Sequence, residues 1–245
     1  MKTIFLTSSP TGPLDGSRQV YGLDNMNYFT DNLKAVWRDN SSVLMIASAP
    51  DDSGRNDEMI RFFREAFEKS GFSLSSFDML DSRNRDLSTK AILSYDVIIL
   101  SGGHVPTQNR FFEEIRLRDR LKDFSGIIIG ISAGSMNSAD VVYAQPELGG
   151  ESLDPDYVRF LPGLRLTDRM ILPHYQMVKD NYLDGRRLIE DITFEDSYGK
   201  CFLVLSDGSY YMIKNGYEYV CGEAWKISDG ELEKINENWE ILEIS

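Results

Sequence analysis

The sequence predicts an α/β fold: a central, mostly parallel sheet with helices on both faces and an antiparallel extension towards the C-terminal end. Three observations predict it. Short apolar runs rich in Val, Ile and Leu recur through the first half, as buried parallel strands require. Segments with apolar residues at helical spacing separate them, which implies right-handed crossovers between parallel strands. From Cys201 onward the pattern changes to strand, tight turn, strand.

Taken in order, Lys2 to Thr7 reads as the first strand, and the polar segment with Pro10, Gly12, Pro13 and Gly16 as a loop. A helix is expected to start near Asn25. Ser42 to Ser48 is a second buried strand, and Asp57 to Ser70 has helical periodicity that stops at Gly71. Phe72 to Leu80 alternates as a strand does. Tyr95 to Leu100 and Gly126 to Ile131 are further core strands, and Thr107 to Phe124 between them predicts one long helix. Val141 to Ala144 precedes a loop rich in Pro, Gly and acids, and Met170 to Leu172 is a short strand ending at Pro173-His174. Lys179 to Ile192 reads as a helix despite Gly185. Asp207-Gly208, Asn215-Gly216 and Asp229-Gly230 are good hairpin formers. There is no internal repeat and no linker, so one domain over residues 1–245 is expected. Loops are otherwise short, so a small pocket partly closed by one of the longer segments, 8 to 24 or 144 to 162, is expected.

Composition excludes several classes of partner. A formal charge of −13 disfavours nucleic acid and an anionic membrane surface, both of which select for Lys and Arg. No apolar run is long enough to span a bilayer, and MKTIFLTSSP is too short in apolar residues for a secretory signal, so a cytoplasmic protein is expected. Two cysteines, Cys201 and Cys221, lie in strand-like segments, with no CxxC and no His/Cys cluster. No metal and no cofactor is therefore expected. A homodimer is left open. With only His104 and His174 in the chain, any mechanism that needs an imidazole must use one of them.

The chemistry points to Gly130-Ile131-Ser132-Ala133-Gly134. A serine with glycines two positions either side, after an apolar strand, matches the G-x-S-x-G turn that lifts a nucleophilic hydroxyl out of a sheet. Ala133 then opens a helix. Such a serine needs a base and a group that orients the base. His174 follows a short apolar strand, at the edge where open α/β sheets place their sites. His104 follows Ser101-Gly102-Gly103 at another strand end, and either competes as base or lines the pocket. The Ala133 amide, with one from the Gly102-Gly103 turn, would form an oxyanion hole. On spacing alone, Asp207-Gly208 fits a plain hairpin turn as well as an acid aimed at the histidine. Asp154, Asp156 and Asp168 are alternative acids.

The set SGGH, GISAGS, LPHY and LSDGSYY, in that order, resembles the serine peptidase family that includes dipeptidase E and cyanophycinase. The resemblance runs from about Ser42 to Tyr211. It implies a class I glutamine amidotransferase-like fold with serine in place of the amidotransferase cysteine. It also implies a serine hydrolase of dipeptides or short peptides, with Ser132 as nucleophile, His174 as base, Asp207 as the orienting acid, and Gly103 with Ala133 as oxyanion donors. A silent amidotransferase-like binding module, or an esterase or amide hydrolase using the same serine, are the rival readings. The acidic loop of Glu147, Glu151, Asp154 and Asp156 could meet a substrate's amino group or a basic side chain, or be a solvated face.

Overall fold

The computed structural model describes residues 2–11 and 20–244, so Gly12, Pro13 and Gly16 of the expected loop lie outside the described residues, while Pro10 sits in a turn. Five parallel strands form the frame: β1 (Thr3–Thr7), β2 (Ser41–Ile46), β3 (Leu74–Leu80), β4 (Val97–Leu100) and β5 (Ile127–Ile131). They stand in the order β1-β5-β4-β2-β3. Three antiparallel strands, Tyr210–Lys214, Tyr217–Cys221 and Ile241–Ile244, continue the sheet outward from β1.

The apolar runs end up where both faces of the sheet are covered. Every residue of β1, β4 and β5 is buried, whereas β3, at the sheet's edge, alternates buried and open positions. Side chains alternate across the sheet. Ile4, Leu6, Leu44, Ile98 and Ile128 therefore join one core, and Phe5, Val43, Met45, Ile99 and Ile129 the other. The amphipathic helix Ser53–Lys69 buries Ala66 and Phe67, and Asp52 caps it by accepting from the Arg55 amide.

A second, four-stranded sheet comprises Met170–Leu172, Cys201–Leu205, Ala224–Ser228 and Glu231–Asn236. Asn215-Gly216 and Asp229-Gly230 make the expected hairpins, with positive φ at both residues of each turn. Asp207-Gly208 does not. Cys201–Leu205 belongs to the small sheet and Tyr210–Lys214 to the large one, so Asp207-Gly208 carries the chain from one sheet to the other.

Two expected helices are corrected. Thr107 to Phe124 is not one helix: it divides into Val105–Glu114 and Leu117–Arg120 around Arg116, which is left-handed at φ 53. Ile115 and Leu117 both enter the core, and two positions apart on a continuous helix they would face opposite ways. Lys179 to Ile192 is instead a hairpin, Tyr182–Leu183 with Arg186–Arg187, followed by a π-helical turn, Leu188–Thr193. Asp184 and Gly185 both take positive φ, which turns the chain back where a helix would have continued. The Asp184 carboxylate accepts from the amides of Gly150 and Ser152 and from the Ser152 hydroxyl, tying this hairpin to the long 144–162 segment.

Candidate active site

The site forms where strands end. Ser132 follows β5 with φ 50 and ψ −112, a conformation strained for a residue with a Cβ. The fold holds it there. Its amide donates to the Thr7 carbonyl at the end of β1, and Ser135 Oγ donates to the same oxygen at 2.7 Å. The flanking glycines are needed for close approach. A Cβ on Gly130 would stand 2.9 Å from the Ser135 backbone and from Leu6, and one on Gly134 would collide with the Leu100 carbonyl. The turn thus lies pressed against its two neighbouring strands, β1 and β4, with Ser132 at its apex and a one-turn helix, Ala133–Met136, behind it.

His174 follows the Met170–Leu172 strand in a left-handed conformation, φ 61. Its Nδ1 lies 2.6 Å from Asp207 Oδ1. Asp207 is buried, and burial alone would raise its carboxyl. The hydrogen bond and charge of His174, with the contacts of Ser8 and Gln176, outweigh that and hold it below the usual carboxylate value. An ionised carboxylate can only accept, so Nδ1 carries the proton and Nε2 of the neutral ring keeps its lone pair. Asp154, Asp156 and Asp168 make no such bond.

Ser8 escaped the sequence reading. Its buried hydroxyl donates to Asp207 Oδ1 at 2.6 Å and accepts from the His174 amide at 2.8 Å, so one side chain fixes both the acid and the backbone of the imidazole. Its only sequence signal is its place just past the end of the first strand, on the same sheet edge as Ser132. Ser48 was missed likewise. Its hydroxyl donates to the Gly102 carbonyl at 2.6 Å. In a trans peptide the N–H points opposite to the carbonyl, so this bond turns the Gly103 amide away from Ser48. Gly102 itself lies against Ser132, where an added Cβ would stand 3.4 Å from the serine's own. Neither the Gly103 nor the Ala133 amide is used in a hydrogen bond among the described residues.

Two hollows meet at this point. One, of about 180 Å³, is bordered by Gly103, Ser132 and His174 together with Val105, Met136, Glu147 and Leu188. The other, of about 510 Å³, shares Gly103, Ser132 and His174 and continues along Ser8 to Thr11, Arg55, Met59, Phe62 and Phe63. The described parts of both long segments border them, Ser8 to Thr11 the larger and Gln145 to Glu147 the smaller, where one closing loop was expected. A further hollow of about 250 Å³, lined by Thr3, Ser41 and Gly126, lies at the opposite edge of the sheet, where the strands begin. His104 borders neither hollow at Ser132. Its ring is held between Thr107 Oγ1 at 2.8 Å and Glu151 Oε1 at 2.9 Å, and Glu151 accepts from the amides of Glu147 and Leu148. Among the described residues no cluster of His, Cys, Asp and Glu could hold a metal ion, and no helix is long and apolar enough to cross a membrane.

Comparison with known proteins decides the family. Residues 16–217 match the model of peptidase family S51. The chain belongs to that family. It is a serine peptidase, and the S51 chain shares its α/β architecture with two solved structures. A peptidase from an acI-B1 Actinobacterium aligns over 99% of this chain and 96% of its own, at 14% identity and a TM-score of 0.61. A protein assigned as a Peptidase E from Listeria monocytogenes EGD-e aligns over 96% and 100%, at 17% identity and a TM-score of 0.55. At these identities the two likenesses speak for the S51 fold alone. The curated proteins gave no match.

Proposed function

We propose that this S51 peptidase hydrolyses dipeptides or short peptides through an acyl-enzyme on Ser132, with His174 as base and Asp207 as the acid that orients it. One observation carries the reading: Ser132 and His174 border the same two hollows, and the imidazole's far nitrogen is bound to a buried carboxylate. In the acylation step Ser132 Oγ forms a bond to the scissile carbonyl carbon while its proton passes to His174 Nε2. The carbonyl oxygen becomes an oxyanion that the Gly103 and Ala133 amides are free to receive. His174 then gives the proton to the amine nitrogen as the C–N bond breaks. Water, deprotonated by the same nitrogen, releases the acyl group.

Hollows of this size, bordered by long segments, suit small substrates. The cytoplasm fits two unpaired cysteines, of which Cys201 is exposed. A fluorophosphonate probe should label Ser132, and Ser132→Ala should lose both labelling and dipeptide turnover. Wild-type protein that takes no label, or that degrades intact casein as fast as dipeptides, would overturn the reading.

A further inference from the structure

We propose that the smaller hollow receives the substrate's N-terminal residue, with Glu147 binding its free α-ammonium and the apolar floor taking an uncharged aliphatic side chain. This rests on the peptidase reading above. The lining of the hollow contains one carboxylate, Glu147, and no Lys or Arg. Among the described residues the Glu147 carboxylate accepts no hydrogen bond and forms no ion pair; only its amide is used, in donating to Glu151. Among the described residues it is a negative charge on the wall it shares with Ser132, with no Lys or Arg lining the hollow to answer it.

The arrangement in depth says which part of a substrate supplies that cation. Val105, Met136, Leu172 and Leu188 are buried and form most of the floor, beside a buried Gln145 whose amide nitrogen is already engaged by Thr193, whereas Glu147 and Tyr182 are exposed and form the mouth. A side chain reaching down meets hydrocarbon, which favours aliphatic groups and rejects an aspartate or a lysine, whose charge would be left unpaired. The α-ammonium of an N-terminal residue leaves the same carbon as that side chain, and its nitrogen is two bonds from the scissile carbonyl carbon. It therefore remains at the mouth, level with Ser132 and within the field of Glu147. Glu147 is open to solvent on one side only: desolvation by the surrounding wall pushes its carboxyl up, Glu151 adding to this and His104 and His174 opposing it, and an arriving ammonium offsets that cost.

The direction of the chain follows. In a dipeptide the ammonium lies on the acyl side of the scissile bond, so the smaller hollow is the acyl side and the larger one receives the leaving residue. Met59, Phe62 and Phe63 there give room and apolar surface for a bulky one. Arg55 and Glu58 both stand on that wall, so it selects less sharply by charge.

The test compares Leu-Phe, N-acetyl-Leu-Phe, Asp-Phe and N-acetyl-Lys-Phe on the wild type and on Glu147→Gln, with fluorophosphonate labelling measured in parallel. The expected result is a kcat/KM for Leu-Phe about 10- to 100-fold above both N-acetyl-Leu-Phe and Asp-Phe, the range of one charged hydrogen bond. In Glu147→Gln the ratio of free to acetylated Leu-Phe should collapse by about tenfold. Labelled, active enzyme that cleaves N-acetyl-Leu-Phe as fast as Leu-Phe, that prefers Asp-Phe, or whose ratio survives Glu147→Gln overturns this proposal and leaves the peptidase reading standing. N-acetyl-Lys-Phe cleaved faster than N-acetyl-Leu-Phe overturns it in favour of a basic side chain. Absence of labelling overturns both.

Discussion

Ser8 and Asp207 show how the placing of His174 depends on its neighbours. Replacing Asp207 by Asn keeps the shape but lets the imidazole adopt the wrong tautomer, so turnover should fall by about 10³ to 10⁴ while circular dichroism stays native. The same change has a signature in stability against pH. The carboxyl of Asp207 is held below its ordinary value in the folded protein, so it stabilises the fold above the unfolded value of about 4 and loses that contribution as pH falls through the folded value. Urea titrations between pH 6 and 3 should therefore show a shallower acid loss in Asp207→Asn than in wild type. Ser8→Ala removes a donor from Asp207 and leaves the His174 amide without its acceptor. A loss of about 1 to 3 kcal/mol in stability is expected, with the acid limb of the pH–rate profile displaced, and Ser8→Thr should restore part of both. An unchanged pH profile in Ser8→Ala would make the hydroxyl structural only. Of the residues gathered here, Ser132 and His174 could be named from the sequence because each adjoins a legible strand end or turn, whereas Asp207 fitted a hairpin turn equally well and could be named only through the family resemblance. Ser8 and Ser48 could not, because a lone serine after a strand carries no pattern until its partner, 199 or 54 residues away, is placed beside it.

At the scale of elements, the turn after β5 is the most constrained part of the molecule. Gly134→Ala would drive a methyl group into the Leu100 carbonyl at the end of β4, and backbone has nowhere to give. The variant should lose about 1 to 3 kcal/mol or more in denaturant melts, whereas Gly149→Ala, with open space around it, should behave as wild type. The parallel strands were legible because burial on both faces demands unbroken apolar runs, and the Asn215-Gly216 and Asp229-Gly230 hairpins because two adjacent positive φ values demand those residue types. Helix length was not legible. Thr107 to Phe124 holds no Pro or Gly to announce the break at Arg116; the break is imposed from outside, by a core that needs Ile115 and Leu117 together. Lys179 to Ile192 did carry a signal in Asp184-Gly185, which turns a hairpin as Asp229-Gly230 does, within a stretch whose periodicity is helical. Asp207-Gly208 is the converse: right chemistry for a hairpin, placed where the chain changes sheets.

For the whole molecule, the charge of −13 and the lone Glu147 act in one direction, drawing the amino ends of peptides towards the cleft. Association should weaken with salt, and kcat/KM for Leu-Phe should fall between about 0.01 and 0.5 M NaCl while kcat holds. The change of sheet at Asp207 has a separate consequence. Ser132 and Ser8 belong to the large sheet, His174 ends a strand of the small one, and Asp207 lies on the crossing between them, so the working geometry is a gauge of how the two halves are seated. A slip of an ångström along that seam would part Ser132 from His174 while every ladder of either sheet stayed paired. On warming, hydrolysis should then fade several degrees before the far-ultraviolet signal moves, and return on cooling: a protein that falls silent before it melts.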